Sequence, residues 1–134
     1  MNTTAVSVFV PRRWAGRVVS ALPVAFLAFD SIIKLVEIGP VRESMTRLGY
    51  AAHLARAIGF LEICCLALYL IPRWSVAGAT LLTGFLGAAV AAHVRIGDPL
   101  GSHVLFPIYV ATMLWAGLWL RDARVRALVK GDVR

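Results

Sequence analysis

Charge is scarce in this 134-residue sequence, and acidic charge is scarcest. Asp, Glu, Lys and Arg make up only 16% of the chain, with seven acidic side chains against fourteen basic ones. A chain so thinly charged, 60% apolar with a mean hydropathy of +0.79, is not disordered. Nor does it suit water, because a soluble domain of this size hides only roughly two-thirds of its unfolded surface. Two cysteines, adjacent at Cys64 and Cys65, exclude a disulfide-rich secreted fold. On a helix their side chains diverge by about 100° and lack the C-x-x-C spacing of a thiol redox centre, so both read as small buried hydrophobes. P-loop, G-x-G-x-x-G and nucleophile-elbow motifs are absent. His53, His93 and His103 lack the spacing of a helical metal pair, so neither a metal site nor an intrinsic cofactor is expected.

What the chain does have is apolar runs. Four are long enough to read as transmembrane helices, at about residues 18–38, 55–71, 75–94 and 104–120. At 1.5 Å per residue these reach about 25 to 31 Å, the thickness of a hydrocarbon core. Pro23 is expected in the first turn of the first span, where its missing N–H costs little, and Gly39-Pro40 is expected to end that span. Between spans one and two, Val41, Met45 and Leu48 recur at helical spacing among charges, which predicts a short surface helix. The fold class is therefore all-α: a single-domain, integral-membrane four-helix bundle over 1–134, with 121–134 as a basic tail.

The basic excess sets orientation. The termini and the Pro72-Arg73 loop carry nine Lys and Arg, including Arg12, Arg13, Arg17, Arg121, Arg124, Arg126, Lys130 and Arg134, while the other loops and flanks carry five. Both termini are accordingly expected in the cytoplasm of a bacterial cell, with the protein in the inner membrane. The net charge of +7 needs no nucleic-acid partner, since no aromatic-interleaved basic patch accompanies it. Residues 1–14 place their basic side chains after the apolar ones, unlike a cleavable signal, so the first span is expected to be retained. Tyr69, Trp74, Tyr109, Trp115 and Trp119 lie near span ends and are expected at the interfaces. Gly84/Ala88, Gly87/Ala91 and Ala88/Ala92 form small pairs that should make the third span the most enclosed.

Five ionisable residues lie where a membrane helix avoids them: Asp30, Lys34 and Glu37 on the first span, Glu62 on the second and His93 on the third. Each charge at the bilayer centre costs about 2.5 to 3.5 kcal/mol. At 100° per residue, Asp30, Lys34 and Glu37 fall within about 60° of arc and must face the bundle interior, with Asp30 and Lys34 spaced to pair. Alternating span direction puts all five in the outer half, next to Arg95, Asp98 and His103. Two readings stay open. The groups form a structural ion-pair network that fixes register, or Asp30, Lys34, Glu37, Glu62, His93 and Arg95 line an outward-facing ligand cavity rimmed by Asp98 and His103.

The run GFLEICCLALYLIPRWSVAGATLLTGFLGAAVAAHVRIGDPL, then SHVLFPIYVATMLWAGLWLRDARVRAL, resembles the DoxX-like family of small bacterial four-helix membrane proteins. The likeness extends back through FDSIIKLV and RLGYAA, covering about residues 20 to 128, and its most specific pieces include Lys34-Leu35, Gly59 with Glu62, His93 with Arg95, and Gly97-Asp98-Pro99. The chain departs from the family pattern at Trp74, Ala88 and Gly101, where Thr, Gly and an aromatic are usual, and no charged position is lost. The family is named for a subunit of an archaeal thiosulfate:quinone oxidoreductase. The resemblance therefore implies an accessory role in a quinone-linked redox system, with a quinone or lipid as candidate ligand and a membrane or peripheral protein supplying the redox centre. Alternatives are a membrane scaffold or assembly chaperone and, in a homo-oligomer, a proton-coupled carrier.

Overall fold

The computed structural model describes residues 11–131, which are helical throughout apart from short connections and contain no strand. The order is α1 (Arg12–Val36), α2 (Gly39–Arg47), α3 (Leu54–Leu70), α4 (Ser75–Arg95), a π-helical turn (Leu100–Val104), α5 (Phe106–Arg121) and α6 (Ala123–Lys130). Three helical segments are long and apolar enough to cross a membrane: Arg12–Val36, Ser75–Arg95 and Leu100–Arg121, the last combining the π-turn with α5. The expected second span corresponds to α3, whose 17 residues are the fewest of the long helices after α5 alone. Large apolar side chains such as Leu22, Phe29, Val36, Phe60, Leu81 and Ile108 point outward, as lipid-facing positions do. Arg134 and most of the N-terminal segment discussed above lie outside the described residues.

α1 packs on α3 and α5, and α4 packs on the same two helices. Glycines set how closely they meet. A Cβ on Gly117 would stand 2.1 Å from Ser20 Oγ, and one on Gly16 would stand 2.8 Å from the Gly117 carbonyl oxygen, so α1 and α5 touch backbone to backbone. Gly59 brings α3 against α1 in the same way, with its missing Cβ 2.7 Å from Lys34 Cβ. The small pairs on α4 play no such part. Gly84, Gly87 and Ala91 face outward and Ala88 borders an open cavity, a Cβ on either glycine would meet nothing within 4 Å, and Ala92 alone of the set is buried. Small residues permit close approach only on the face that a neighbour occupies, and on α4 that face carries Gly78, Ala79, Leu82 and Leu86.

Two apolar clusters make the core. The larger joins Leu27, Leu66, Tyr69, Leu82, Leu114 and Leu118 among others, and the smaller gathers Val41, Met45, Leu48, Ala55 and Ala92 under α2. Tyr69, expected at an interface, is instead fully buried. Its hydroxyl donates to the Leu114 carbonyl at 2.8 Å and accepts from Ser20 Oγ at 3.0 Å, tying α1, α3 and α5 together. Cys65 is buried, whereas Cys64 faces outward.

Two local expectations change. α1 starts at Arg12, several residues before the apolar run, so Pro23 sits buried in its interior rather than in its first turn. Gly39-Pro40 does not simply end α1. Glu37 ends it, adopting a left-handed conformation at φ 55°, and Pro40 then opens α2, where its fixed φ suits the first turn.

Candidate functional site

Asp30 and Lys34 lie one turn apart on α1, and Glu62 lies on α3 three residues after Gly59. Because Gly59 lets α3 press against Ser31 and Lys34, the Lys34 ammonium reaches both carboxylates. It pairs with Asp30, and it stands 2.8 Å from Glu62 Oε2. The ammonium also lies 5.3 Å from the centre of the Phe85 ring. Glu62 is fully buried, with side-chain exposure of 0%. Its second oxygen, Oε1, has no hydrogen-bond partner among the described residues.

That arrangement leaves an imbalance. Two carboxylates share one ammonium, so with both ionised the triad carries one uncompensated negative charge. A buried acceptor without a donor costs about 1–3 kcal/mol, and more when charged. The triad nevertheless forms part of the wall of a cavity of about 430 Å³. Its other walls are mostly apolar, with Phe26, Phe85 and Phe106 prominent, and its remaining polar contributors are Ser44, Tyr50 and His93. Leu27 and Leu86 from the larger core cluster and Met45, Leu48 and Ala92 from the smaller one also line it, which places it where the two clusters meet.

The other candidate residues belong to neighbouring groups. Glu37 does not line the cavity; held at the end of α1 by its left-handed backbone, it lies 3.5 Å from Arg56. Arg95 does not line it either. Its guanidinium donates to the Leu48 carbonyl and lies 5.9 Å from the Tyr50 ring centre, closing the turn at Gly49. Asp98 accepts from both terminal nitrogens of Arg47, at 2.8 and 3.1 Å, and stands 2.6 Å from His93 Nδ1. Those bonds, from His93 first and Arg47 after it, hold the Asp98 carboxyl below the usual carboxylate range. His103 lies edge-on to His93, with ring centres 5.7 Å apart. Asp30, Lys34, Glu62 and His93 thus share one cavity, and His93 links it to the Asp98 group.

Sequence reasoning missed Arg47, Tyr50 and Phe85. Arg47 looked like one more polar residue of a surface helix, and no spacing rule relates it to Asp98 fifty-one residues later. Phe85 reads as ordinary core.

In comparison with known proteins, the model of the DoxX-like family matches residues 18–117, from the early part of α1 to Gly117 of α5. No curated protein and no solved structure matches the chain.

Proposed function

The chain belongs to the DoxX-like family, and on that premise we propose that it is a membrane protein whose cavity at the α2 end binds a small amphipathic ligand such as a quinone headgroup, as an accessory subunit of a membrane redox system. In this reading α3 is the fourth crossing, α2 lies along the membrane surface, both termini are cytoplasmic and the cavity faces outward. The observation that carries it is Glu62: a fully buried carboxylate with one unpartnered oxygen, on the wall of a largely apolar cavity. Ligand pockets have this character, with apolar walls, a few convergent polar groups and volumes of about 300–1,000 Å³.

A quinone-like headgroup fits the donor set. Lys34 would donate to a carbonyl oxygen, and Glu62 Oε1, enclosed in the unliganded geometry, would accept from a hydroxyl once its carboxylate turns toward the cavity, satisfying the orphaned acceptor. Bound there, such a group supplies two-electron, two-proton chemistry. The chain's own contribution is to hold the headgroup between aromatic walls and to take up or release a proton at Glu62, with His93 and Asp98 leading away from the cavity. A partner protein would supply the redox centre.

The test is solvent extraction and mass analysis of the detergent-purified protein. Wild type should carry a quinone or related lipid, and Glu62→Gln should carry much less. Equal stability of the two with no ligand in either would contradict the cavity reading. A second reading, a scaffold whose charges only fix the fold, draws on the pairs Arg47–Asp98 and Arg56–Glu37, which join α2 to the loop after α4 and α1 to α3. It predicts that no ligand co-purifies and that a membrane-protein partner does.

A further inference from the structure

At the opposite end of the molecule lies a second cavity, of about 550 Å³, walled by five arginines and a single carboxylate. Arg13 and Arg17 come from the first turns of α1, Arg73 from the α3–α4 turn, Arg121 from the last turn of α5 and Arg124 from α6. The carboxylate is Asp122, and it is already engaged. Its Oδ1 accepts from the Arg124 backbone N–H at 2.9 Å and from Arg124 Nε at 3.2 Å, while its Oδ2 accepts from Arg124 Nη2 at 2.7 Å. Arg124 in turn donates to the carbonyls of Pro72 and Arg73, which pins α6 against the α3–α4 turn.

Asp122 therefore neutralises Arg124 and leaves four guanidinium groups. Among the described residues, Arg13, Arg17 and Arg73 pair with no carboxylate, and all three are exposed. Arg121 is held in place with its guanidinium 4.8 Å from the Tyr69 ring centre and one long hydrogen bond, 3.4 Å, to the Tyr69 carbonyl. Its Nε is buried with no acceptor among the described residues. Arg13 and Arg17 stand one turn apart on the same face of α1, where like charges repel. The N-terminus of α4 contributes Ser75 to the same wall, and a helix N-terminus favours negative charge. Arginine dispersed along a membrane edge needs no such convergence.

We propose that this pocket is a binding site for one phosphate group, most naturally the headgroup of an anionic phospholipid, gripped by Arg17, Arg73 and Arg121. Several guanidinium forks meet the oxygens of a phosphate with paired, charge-assisted hydrogen bonds, and basic pockets between membrane helices bind anionic headgroups in this way. The proposal concerns the α6 end and is independent of the ligand at the α2 end. A diffuse attraction of basic helix ends to an anionic surface depends on total charge alone. A site depends on which arginines are present.

That difference sets the experiment. The full chain in neutral detergent is titrated with dioleoylphosphatidylglycerol, dioleoylphosphatidylcholine or inorganic phosphate, and bound lipid is counted by native mass spectrometry alongside thermal stability. Wild type should retain one phosphatidylglycerol per chain saturably, in preference to phosphatidylcholine, with a raised melting temperature. The Arg17→Gln/Arg73→Gln variant should bind it about tenfold more weakly. The Arg12→Gln/Lys130→Gln variant, which removes as much charge from the same end but from outside the pocket, should bind within about twofold of wild type. Arg17 and Arg73 are exposed, so lipid-free melting of the first variant should match wild type and separate lost binding from lost folding. Saturation by inorganic phosphate alone, at levels that displace the lipid, would support the phosphate site and identify a free anion as its occupant. Non-saturating binding, equal retention of phosphatidylcholine, or equal loss in both double variants would overturn the proposal.

Discussion

Lys34 is the cation that Asp30 and Glu62 share, and the Glu62 carboxylate is wholly buried. Removing one partner of a buried pair leaves a desolvated charge behind, which costs about 3–5 kcal/mol, whereas removing both costs far less. Lys34→Met should therefore destabilise the protein in detergent by several kcal/mol, and adding Glu62→Met should recover much of the loss. Chemical or thermal unfolding of the two variants decides it, and a double variant no better than the single would show that the pair is not coupled. Tyr69→Phe makes a separate test. It strands the Ser20 hydroxyl in the core, while the Leu114 carbonyl keeps its bond within α5, and a loss of about 1–3 kcal/mol is expected by the same measurement. Both residues stood out in the sequence, but for different reasons. Lys34, Asp30, Glu62 and His93 were legible as cavity candidates because a membrane penalises each of them. Tyr69 was misread because position near a span end says nothing about which face of α3 meets α5.

Between elements, glycines decide the distances, and their effect depends on the face they occupy. Gly117→Ala would drive a methyl into Ser20 and push α5 from α1, so a loss of at least about 1–3 kcal/mol is expected. Gly84→Ala meets open space and should be neutral or stabilising by up to about 1 kcal/mol, as alanine is the better helix former. Paired melting curves test the contrast, and equal losses would mean that the α1–α5 contact is looser than described. Periodicity made the helices legible, yet it could not say which of several small residues lay between helices, since that requires the partner's identity. The same holds for Arg95. Its place beside His93 suggested a cavity residue, but the end of α4 turns it toward Leu48. Where α2 meets the loop after α4, the Arg47–Asp98–His93 contact ties two elements together. The Asp98 pKa lies below its ordinary value of 3.8, so this contact contributes stability above about pH 4 and loses it as pH falls through the lower, folded value. Asp98→Asn should flatten the acid limb of the stability curve relative to wild type, and an unchanged limb would place the acid sensitivity elsewhere.

For the whole molecule, the sparse charges divide by end. Paired acids and bases surround the cavity near α2, and five arginines with one carboxylate gather near α6. The all-helical character and the helices of membrane-crossing length were readable from the apolar runs, and the gathering of arginines at one end from the basic excess at the termini. Orientation is testable in intact cells, in a background with Cys64 and Cys65 replaced. Thr46→Cys, exposed on α2, should react with an impermeant thiol reagent from outside, and Lys130→Cys should react only after lysis. Reversed labelling would turn the cavity toward the cytoplasm. Recognition of a ligand by Glu62 is tested most directly by calorimetric titration of a short-chain quinol into wild type and Glu62→Gln in the same detergent. A saturable isotherm that weakens at least about tenfold in the variant is the result expected from losing a charge-assisted hydrogen bond. Identical isotherms, or no heat of binding to either protein, would contradict it.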